Sequence, residues 1–493
     1  MASDTRPALL HALTAMAALG LLSLSACSLD PHYVRPDAPV ASAYPDGPAY
    51  GHEPAGTETS TPAAGDLGWR DFLTDPHLQQ LVQIALQNNR DLRVAMLTVQ
   101  ELQAEFRIQS AALFPQVSAF ADRTRQRTPA DLSASGQSVT AGSYSVGASF
   151  GWEIDLFGRL RSLREAALEQ YFASMEGRRA AETLLVSQVA DQYLTMLAFD
   201  ELLDVTQRTL DTSRASYDIV KLQFDTGTAS ELDLRQAETV VEQAQANRAA
   251  QLRARAQAEN GLALLLGQPV PPDVQTGRRL GDQNLLEDIP AGLPSDLLSR
   301  RPDVLGAEAQ LRSANADVGA ARAAFFPRIV LTGSAGTASD ELGGLFKAGS
   351  AAWNLAPSVT VPLFDAGENR ANLDAAQVRK QIGVAQYEKT IQTAFREVAD
   401  GLAARGTFND QIASLERFTQ AQRRRLDLAQ LLYKNGASSY LDVLTAQTDL
   451  YNAELVLVSA RLQRLTNLVD LYRALGGGWL ERTGEQPRPG DAA

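Results

Sequence analysis

The placement of proline is the strongest constraint on how this chain can fold. All 22 prolines lie outside two long stretches, residues 130–268 and 363–486. Because proline breaks helix interiors, these gaps permit helices much longer than those of an ordinary domain. The same stretches are rich in Ala, Leu, Gln, Glu and Arg, which are good helix formers. We predict continuous helices over roughly 159–226 and 367–435, each on the order of 100 Å long.

The sequence also contains an internal duplication. Phe114-Pro115 recurs as Phe326-Pro327, 212 residues later, and Leu266-Gly267 recurs as Leu475-Gly476, 209 residues later. Landmarks at a nearly constant offset indicate one body built from two equivalent halves rather than several unrelated domains. We place the first repeat at 67–288, the second repeat at 289–480 and a flexible C-terminal tail at 481–493.

The N-terminus has the composition of a secretory signal. Residues 9–26 form a short apolar segment that ends in small residues, which favours a signal peptide over 1–26 rather than an anchor helix. The segment closes with Leu24-Ser25-Ala26-Cys27, which resembles a bacterial lipobox. This resemblance implies that Cys27 is the acylated first residue of the mature chain, and Ser28 favours the outer membrane. Residues 27–66 then read as a lipidated N-terminus and an extended tether.

Each half contains two segments that alternate like β-strands. The clearest segment, residues 144–155, places Tyr, Val, Ala, Phe, Trp and Ile at every second position. We predict strands near 116–127 and 143–155, and near 328–338 and 353–364. A soluble antiparallel sheet with one buried face gives the same alternation as transmembrane strands. The lipobox, the length and Trp152 and Trp353 favour the membrane, where four strands cannot close a barrel alone, so function requires oligomerisation.

The chemistry that the composition allows is narrow. The chain has 45 basic and 58 acidic residues and a net charge of −13, which argues against nucleic-acid binding. Cys27 is the single cysteine, and neither His nor Cys occurs after His77. Zinc ligation, Ser-His-Asp hydrolysis and Cys-His catalysis therefore lack their residues, and we predict a protein without catalysis, metal or cofactor. The opposing hypothesis is a carboxylate-based hydrolase, for which Glu153 and Asp155 are the nearest pair.

Taken together, the lipobox, the tether, the duplicated halves and the run Arg300-Arg301-Pro302-Asp303-Val304 resemble the outer-membrane factor family. The similarity is to TolC-like and OprM-like channels, in the NodT branch of efflux lipoproteins, and covers about residues 28–480. It implies an α+β membrane protein, a homotrimer with a 12-stranded barrel built from three chains and a long α-helical tunnel. It also implies a passive duct anchored in the cell outer membrane, which receives substrates from a periplasmic adaptor and an inner-membrane RND-type transporter.

The same resemblance assigns candidate residues at the periplasmic end. It implies a gate at Leu441, Asp442 and Thr445, although many relatives carry a second Asp where this chain has Thr445. A ring of three Asp442 carboxylates would attract cations and repel itself, so that partner binding could open it. The competing hypothesis is that Asp442 simply caps a helix. The implied adaptor-docking turns are the pairs Gly227-Thr228 and Gly436-Ala437.

Two other functions fit all or part of these observations. An outer-membrane duct for type I protein secretion would share every feature above, because selectivity resides mainly in the inner-membrane partner. A lipid-anchored periplasmic coiled-coil scaffold would explain the helices but leaves the alternating strands without a purpose.

Overall fold

The computed structural model describes residues 29–50, 63–134, 136–276, 279–283, 285–286, 289–290, 292 and 294–484. Nine α-helices and one four-stranded sheet occur within these ranges. The helices are α1 (Trp69–Phe72), α2 (Pro76–Asn88), α3 (Arg90–Ala111), α4 (Arg159–Asp225), α5 (Glu231–Leu266), α6 (Leu297–Arg300), α7 (Pro302–Ala323), α8 (Glu368–Lys434) and α9 (Tyr440–Ala474). The strands are β1 (Gln116–Thr128), β2 (Val139–Ile154), β3 (Arg328–Ser339) and β4 (Ala351–Thr360).

The two long helices occur where the proline-free stretches predict them. Both α4 and α8 run for 67 residues, and their bounds lie within one residue of the prediction. Each begins just after a glycine with positive φ, Gly158 at 80° and Gly367 at 90°. Within the ranges that the structure describes, none of the helices combines the length and apolar character needed to cross a membrane.

The chain divides into two compact units that do not coincide with the sequence halves. The sheet unit comprises Met1–Asp37, Thr98–Ser174 and Gly306–Tyr387, and the helical unit comprises Ala38–Leu97, Met175–Leu305 and Glu388–Ala493. Each unit draws residues from both halves. Equivalent elements of the two halves therefore belong to the same unit. The duplication repeats sequence and local structure but does not produce two separate domains.

The sheet has one apolar and one polar face. Its four strands are antiparallel in the order β1-β2-β3-β4, and directly paired residues lie on the same face. One row across the sheet consists of Ala119, Ala148, Ala335 and Trp353. The apolar face includes this row and Val117, Ala121, Val146, Phe150, Trp152, Ile154, Ile329, Leu331, Leu355, Pro357 and Val359. The opposite face carries mostly Ser, Thr, Asn, Gln and charged residues, so the alternation predicted from the sequence is present.

The last strand is shorter than the sequence predicts. β4 ends at Thr360, whereas the alternation suggested a strand as far as residue 364. Pro362 lacks an N–H and cannot continue the ladder. Pro357 is accommodated within β4 because this strand lies at the edge of the sheet. The second strand differs in the other direction, since β2 begins at Val139 rather than near 143.

Part of the predicted tether is docked on the sheet unit. The Ser162 hydroxyl donates to Asp30 at 2.6 Å, and Arg35 forms an ion pair of 2.6 Å with the buried Glu308 on α7. Burial opposes ionisation of Glu308, but hydrogen bonds from Arg35 and Arg312 lower its pKa. These contacts fix residues 29–35 as a strap along α7, not as a free linker.

The predicted end of the tether and the predicted start of the C-terminal tail both need correction. Ala64, which the prediction assigned to the tether, is buried with a relative exposure of 2%. At the other end, the backbone N–H of Arg70 donates to Glu481 O at 3.1 Å, and the side chains of Arg70 and Glu481 form an ion pair of 2.7 Å. The Thr483 hydroxyl donates to Asp71 at 2.6 Å. Residues 481–484 are therefore part of the packed body, and residues 485–493 lie outside the described ranges.

The Arg-Arg-Pro-Asp-Val run forms a buried clamp in the helical unit. The Arg301 side chain is 5% exposed and forms ion pairs with Asp303 at 2.6 Å and Glu397 at 2.9 Å. It also donates to the backbone O of Ala474 at 3.0 Å. Burial disfavours the charged guanidinium, but the two carboxylates outweigh this effect and raise the pKa of Arg301. One side chain thus joins the start of α7 to α8 and to the end of α9.

We expect Arg301→Met to destabilise the protein by about 3–5 kcal/mol, because it leaves Glu397 and the Ala474 carbonyl without their buried donor. The neighbouring Arg300→Met is the matched control. Arg300 forms one ion pair with Asp66, whose side chain is 65% exposed, so its loss should cost less than about 1 kcal/mol. Thermal unfolding of the detergent-solubilised protein by circular dichroism measures both. Equal losses for the two variants would contradict a clamp centred on Arg301.

Candidate functional site

The two helical hairpins of the helical unit end in equivalent tight turns. Gly227 joins α4 to α5 with φ of 76°, and Gly436 joins α8 to α9 with φ of 70°. These left-handed conformations favour glycine, since a side chain there is strained. After each glycine the chain bonds back in the same way: Thr228 N donates to Gln223 O at 2.7 Å, and Ala437 N donates to Leu432 O at 2.8 Å. The predicted docking turns therefore form one repeated motif.

A capping box follows each turn. Asp233 accepts hydrogen bonds from the backbone N–H of Ser230 at 3.2 Å and from its hydroxyl at 2.7 Å. In the second half, Asp442 accepts from the N–H of Ser439 at 3.2 Å and from its hydroxyl at 3.0 Å. Asp442 is thus a helix-capping residue, as one of the two sequence hypotheses proposed, and its first-half equivalent does the same.

Capping leaves Asp442 on the exposed side of α9. Leu441, Asp442 and Thr445 are all exposed, with Leu441 at 54%, whereas the intervening Val443 and Leu444 are buried. The Thr445 hydroxyl donates to the Leu441 carbonyl at 2.9 Å, so its hydrogen is used in a bond within α9. The structure therefore brings the three predicted gate residues together on one face at the start of α9.

A polar contact links the two hairpins near their turns. The Tyr433 hydroxyl donates to Gln223 Oε1 at 2.7 Å, one turn before Gly436 and Gly227 respectively. The Tyr433 ring lies 5.3 Å from that of Tyr440, which is buried, and burial raises the pKa of Tyr440 to about 12. Gln223, Tyr433 and Tyr440 are not among the predicted site residues, although aromatic residues on both sides of the Gly436 turn are visible in the sequence.

Below this contact, the hairpins share an apolar cluster. Residues from both hairpins contribute, so the turns are held in a fixed relation. Its members are Val220, Ala237, Leu426, Ala429, Tyr440, Val443, Leu444 and Ala446.

A shallow groove adjoins Asp442. It has a volume of about 470 Å³ and is lined by one side of α8 together with Ser438 and Asp442. Leu428 and Leu432 supply its apolar surface, and Arg424 places a guanidinium in the same groove as the acid. Arg424 is not recognisable as a site residue from the sequence, because the charge run Arg423-Arg424-Arg425 within a long helix resembles any solvated face.

The carboxylates proposed for a hydrolase are already paired. Glu153 accepts from Arg159 at 2.8 Å and forms a second ion pair with Arg328 at 2.6 Å. Asp155 accepts from the N–H of Arg161 at 2.9 Å. They lie beside a cleft of about 360 Å³ where the strands meet the helices, and both serve to connect these elements. Among the described residues, no group of three or more His, Cys, Asp and Glu side chains is placed to hold a metal ion.

The predicted lipid attachment site, Cys27, lies outside the described residues. The strap begins at Leu29, two residues further along the chain. Leu29 O accepts from Arg322 at 3.3 Å and Pro31 O accepts from Asn315 at 2.8 Å. A side chain at Gly319 would place its Cβ 1.5 Å from Asp30 Oδ1, so the strap requires glycine at that position of α7.

Comparisons with known proteins agree with one another. A family model described as "Outer membrane efflux protein" matches residues 81–268 and 293–477. The chain is 47% identical over 464 residues to the probable efflux pump outer membrane protein TtgC of Pseudomonas putida, covering 94% of this chain and 95% of that protein. It is 45% identical over 466 residues to the outer membrane protein OprJ of Pseudomonas aeruginosa, covering 93% and 95%.

Solved structures show the same relationship. The open state of the MtrE outer membrane channel of Neisseria gonorrhoeae matches with a TM-score of 0.82 and 41% identity, covering 93% of this chain and 100% of that one. The CmeC outer membrane channel of Campylobacter jejuni matches with a TM-score of 0.84 and 27% identity, covering 93% and 96%.

Proposed function

The chain belongs to the outer membrane efflux protein family, and we propose that this outer-membrane channel works as a homotrimeric, passive exit duct. In this proposal a periplasmic adaptor and an inner-membrane RND-type transporter pass substrates into it. The family and its relatives are channel and transport proteins, which fits a body whose conspicuous carboxylates are engaged in ion pairs and helix caps.

The observation that carries the proposal is the two-faced sheet with open edges. One face is apolar and suits lipid, and the other is polar and suits a water-filled lumen. β1 and β4 have no partner on their outer sides within the described chain, and unpaired backbone groups are not tolerated in hydrocarbon. Copies of the same chain, joined β4 to β1, satisfy these groups. Three copies supply 12 strands, a number within the known range of outer-membrane barrels.

The partner proposal rests on the helical hairpins. The turns at Gly227 and Gly436 are exposed, repeated and rigidly held by the Tyr433 contact, so they present equivalent surfaces to a partner. In a trimer they would form a ring of six similar tips. We assign adaptor docking to Gly227, Thr228, Gly436 and Ala437. The relatives that bear the name "efflux pump outer membrane protein" support a pump as the third component.

Deletion of the gene tests the efflux role. In a strain without other outer-membrane ducts, we expect deletion to raise sensitivity to toxic organic compounds, because the pump then lacks an exit. Plasmid-borne wild type should restore resistance. Minimum inhibitory concentrations across a broad compound panel provide the measurement. Unchanged sensitivity, together with loss of a secreted protein from the medium, would instead assign the duct to protein secretion.

The gate proposal places Asp442, Leu441 and Thr445 around the channel axis. Their shared exposed face supports this placement, and three ionised Asp442 side chains would favour cations. We expect Asp442→Asn to lower the cation-to-anion permeability ratio in planar bilayers several-fold. Asp233→Asn is the matched control, because it occupies the equivalent capping box of the first half. If both variants or neither alter the ratio, Asp442 acts only as a cap.

We propose that Cys27 carries the acyl chains, and that Ser28 directs the mature lipoprotein to the outer membrane. Two or more chains give stable anchoring, at about 0.8 kcal/mol for each buried methylene. We expect Cys27→Ala to abolish incorporation of a labelled fatty acid and to weaken membrane retention in high salt. Full labelling of the variant would contradict the assignment, and Ser25→Gly serves as a control that leaves the cysteine in place.

A further inference from the structure

Three arginines lie at alternate positions near the end of β1. Arg123, Arg125 and Arg127 pair across to Tyr144, Gly142 and Thr140 of β2, so all three lie on one face of the sheet. All three are exposed. Side chains two residues apart on a strand are about 6.5–7 Å apart, so the arginines form a regular ladder. We refer to Arg123, Arg125 and Arg127 as the arginine ladder.

The ladder lies on the apolar face, not on the lumen face. Preceding positions on the same side of β1 are Val117, Ala119 and Ala121, and Tyr144 continues the row of Val146 on β2. The polar side of β1 carries Asp122, Thr124 and Gln126. The ladder therefore faces outward, and it cannot serve as an anion filter inside the channel.

The ladder is at the end of the strand that is distant from the helices. β1 follows α3, begins at Gln116 and ends at Thr128, before the connection to β2. The apolar residues therefore come first, and the arginines lie at the end that is distant from α3. On β2, Trp152 lies near the helical end and Tyr144 lies beside Arg123, so the two aromatic residues flank the apolar stretch between them. Aromatic residues flank the apolar band of transmembrane barrels in the same way. With the helices on the periplasmic side, the ladder lies at the outer-leaflet boundary.

Within the described part of the chain, no carboxylate forms an ion pair with Arg123, Arg125 or Arg127. The Arg123 guanidinium instead lies 5.3 Å from the centre of the Tyr144 ring. Asp122 is on the opposite face. The strand that would pair with β1 in a trimer, β4 of another copy, has no charged residue between Ala351 and Thr360.

We propose that the arginine ladder is a binding site for the phosphorylated headgroups of outer-leaflet glycolipid. Guanidinium groups bind phosphate oxygens bidentately, and an aromatic ring beside the first arginine suits the headgroup boundary. Arginine facing hydrocarbon is costly at the midplane and nearly neutral at the interface, so the ladder fixes the depth of the barrel in the membrane. This inference rests on the proposed barrel and adds to it a lipid ligand on its outer surface.

Lipid binding to the purified, full-length trimer in detergent solution tests the site. The probes are phosphorylated lipid A and phosphatidylcholine, each titrated as mixed micelles. We expect wild type to prefer lipid A, and Arg123→Gln, Arg125→Gln and Arg127→Gln to lose about fivefold in affinity for each arginine removed. The triple Arg→Lys variant keeps the charge but loses the bidentate contact, so it should bind more weakly than wild type and more tightly than the triple Gln variant. A triple control, Arg214→Gln, Arg253→Gln and Lys389→Gln, removes equal charge from exposed helix positions and should bind like wild type.

Unchanged lipid A affinity in the ladder triple, or an equal loss in the helix control, overturns the proposal. Competition by inorganic phosphate with no preference for lipid A assigns the site to a free anion and also overturns it. Heat-modifiable trimer bands are recorded for every variant. A triple that no longer forms trimers would show that the ladder joins copies, whereas an absence of trimers in wild type would refute the barrel itself.

Discussion

Backbone hydrogen bonding at the two sheet edges is the constraint on which the rest of this structure depends. A strand surrounded by hydrocarbon must pair on both sides, because no water is available for its N–H and C=O groups. The single chain satisfies this for β2 and β3 but not for the outer sides of β1 and β4. Membrane insertion and self-association are therefore one requirement. The polar face of the sheet becomes a lumen only once that requirement is met, and conduction follows from the same closure.

The duplication provides the second level of organisation. The four strands of the two halves share one sheet, and equivalent helices of the two halves belong to the same compact unit. The two turns show this most clearly, with glycines of similar φ and matching Ser-Asp capping boxes. Differences between the halves are then informative. The first half has the arginine ladder on β1, whereas the equivalent strand β3 ends in Gly336, Thr337, Ala338 and Ser339, so charge is concentrated on one strand of each chain.

Local signals in the sequence predicted the helices well and the packing less well. The absence of proline and the abundance of good helix formers are properties of the segments themselves, and they predict α4 and α8 to within one residue. The alternation past Thr360 continues in sequence but not in hydrogen bonding, because Pro362 has no donor. The strap could not be predicted, since its Pro-rich composition is that of a linker and its order depends on Ser162 and Glu308, which are distant in sequence. For Asp442, the sequence allowed both a cap and a gate, and only the cap is a local property.

The contacts that hold Glu481 and Thr483 against Arg70 and Asp71 have a topological consequence. The N–H of Trp69 donates to Leu480 O at 2.9 Å, so the end of the second repeat is hydrogen-bonded to the start of the first. The two equivalent repeats are therefore connected at two places, which we call seams: this contact and the chain between α5 and α6. Circular permutation of residues 63–484 would exchange them: a chain that starts at the second seam, with the first one joined by a short linker, traces the same fold of this body without the N-terminal strap. Which repeat comes first is therefore a matter of gene order and not of the fold.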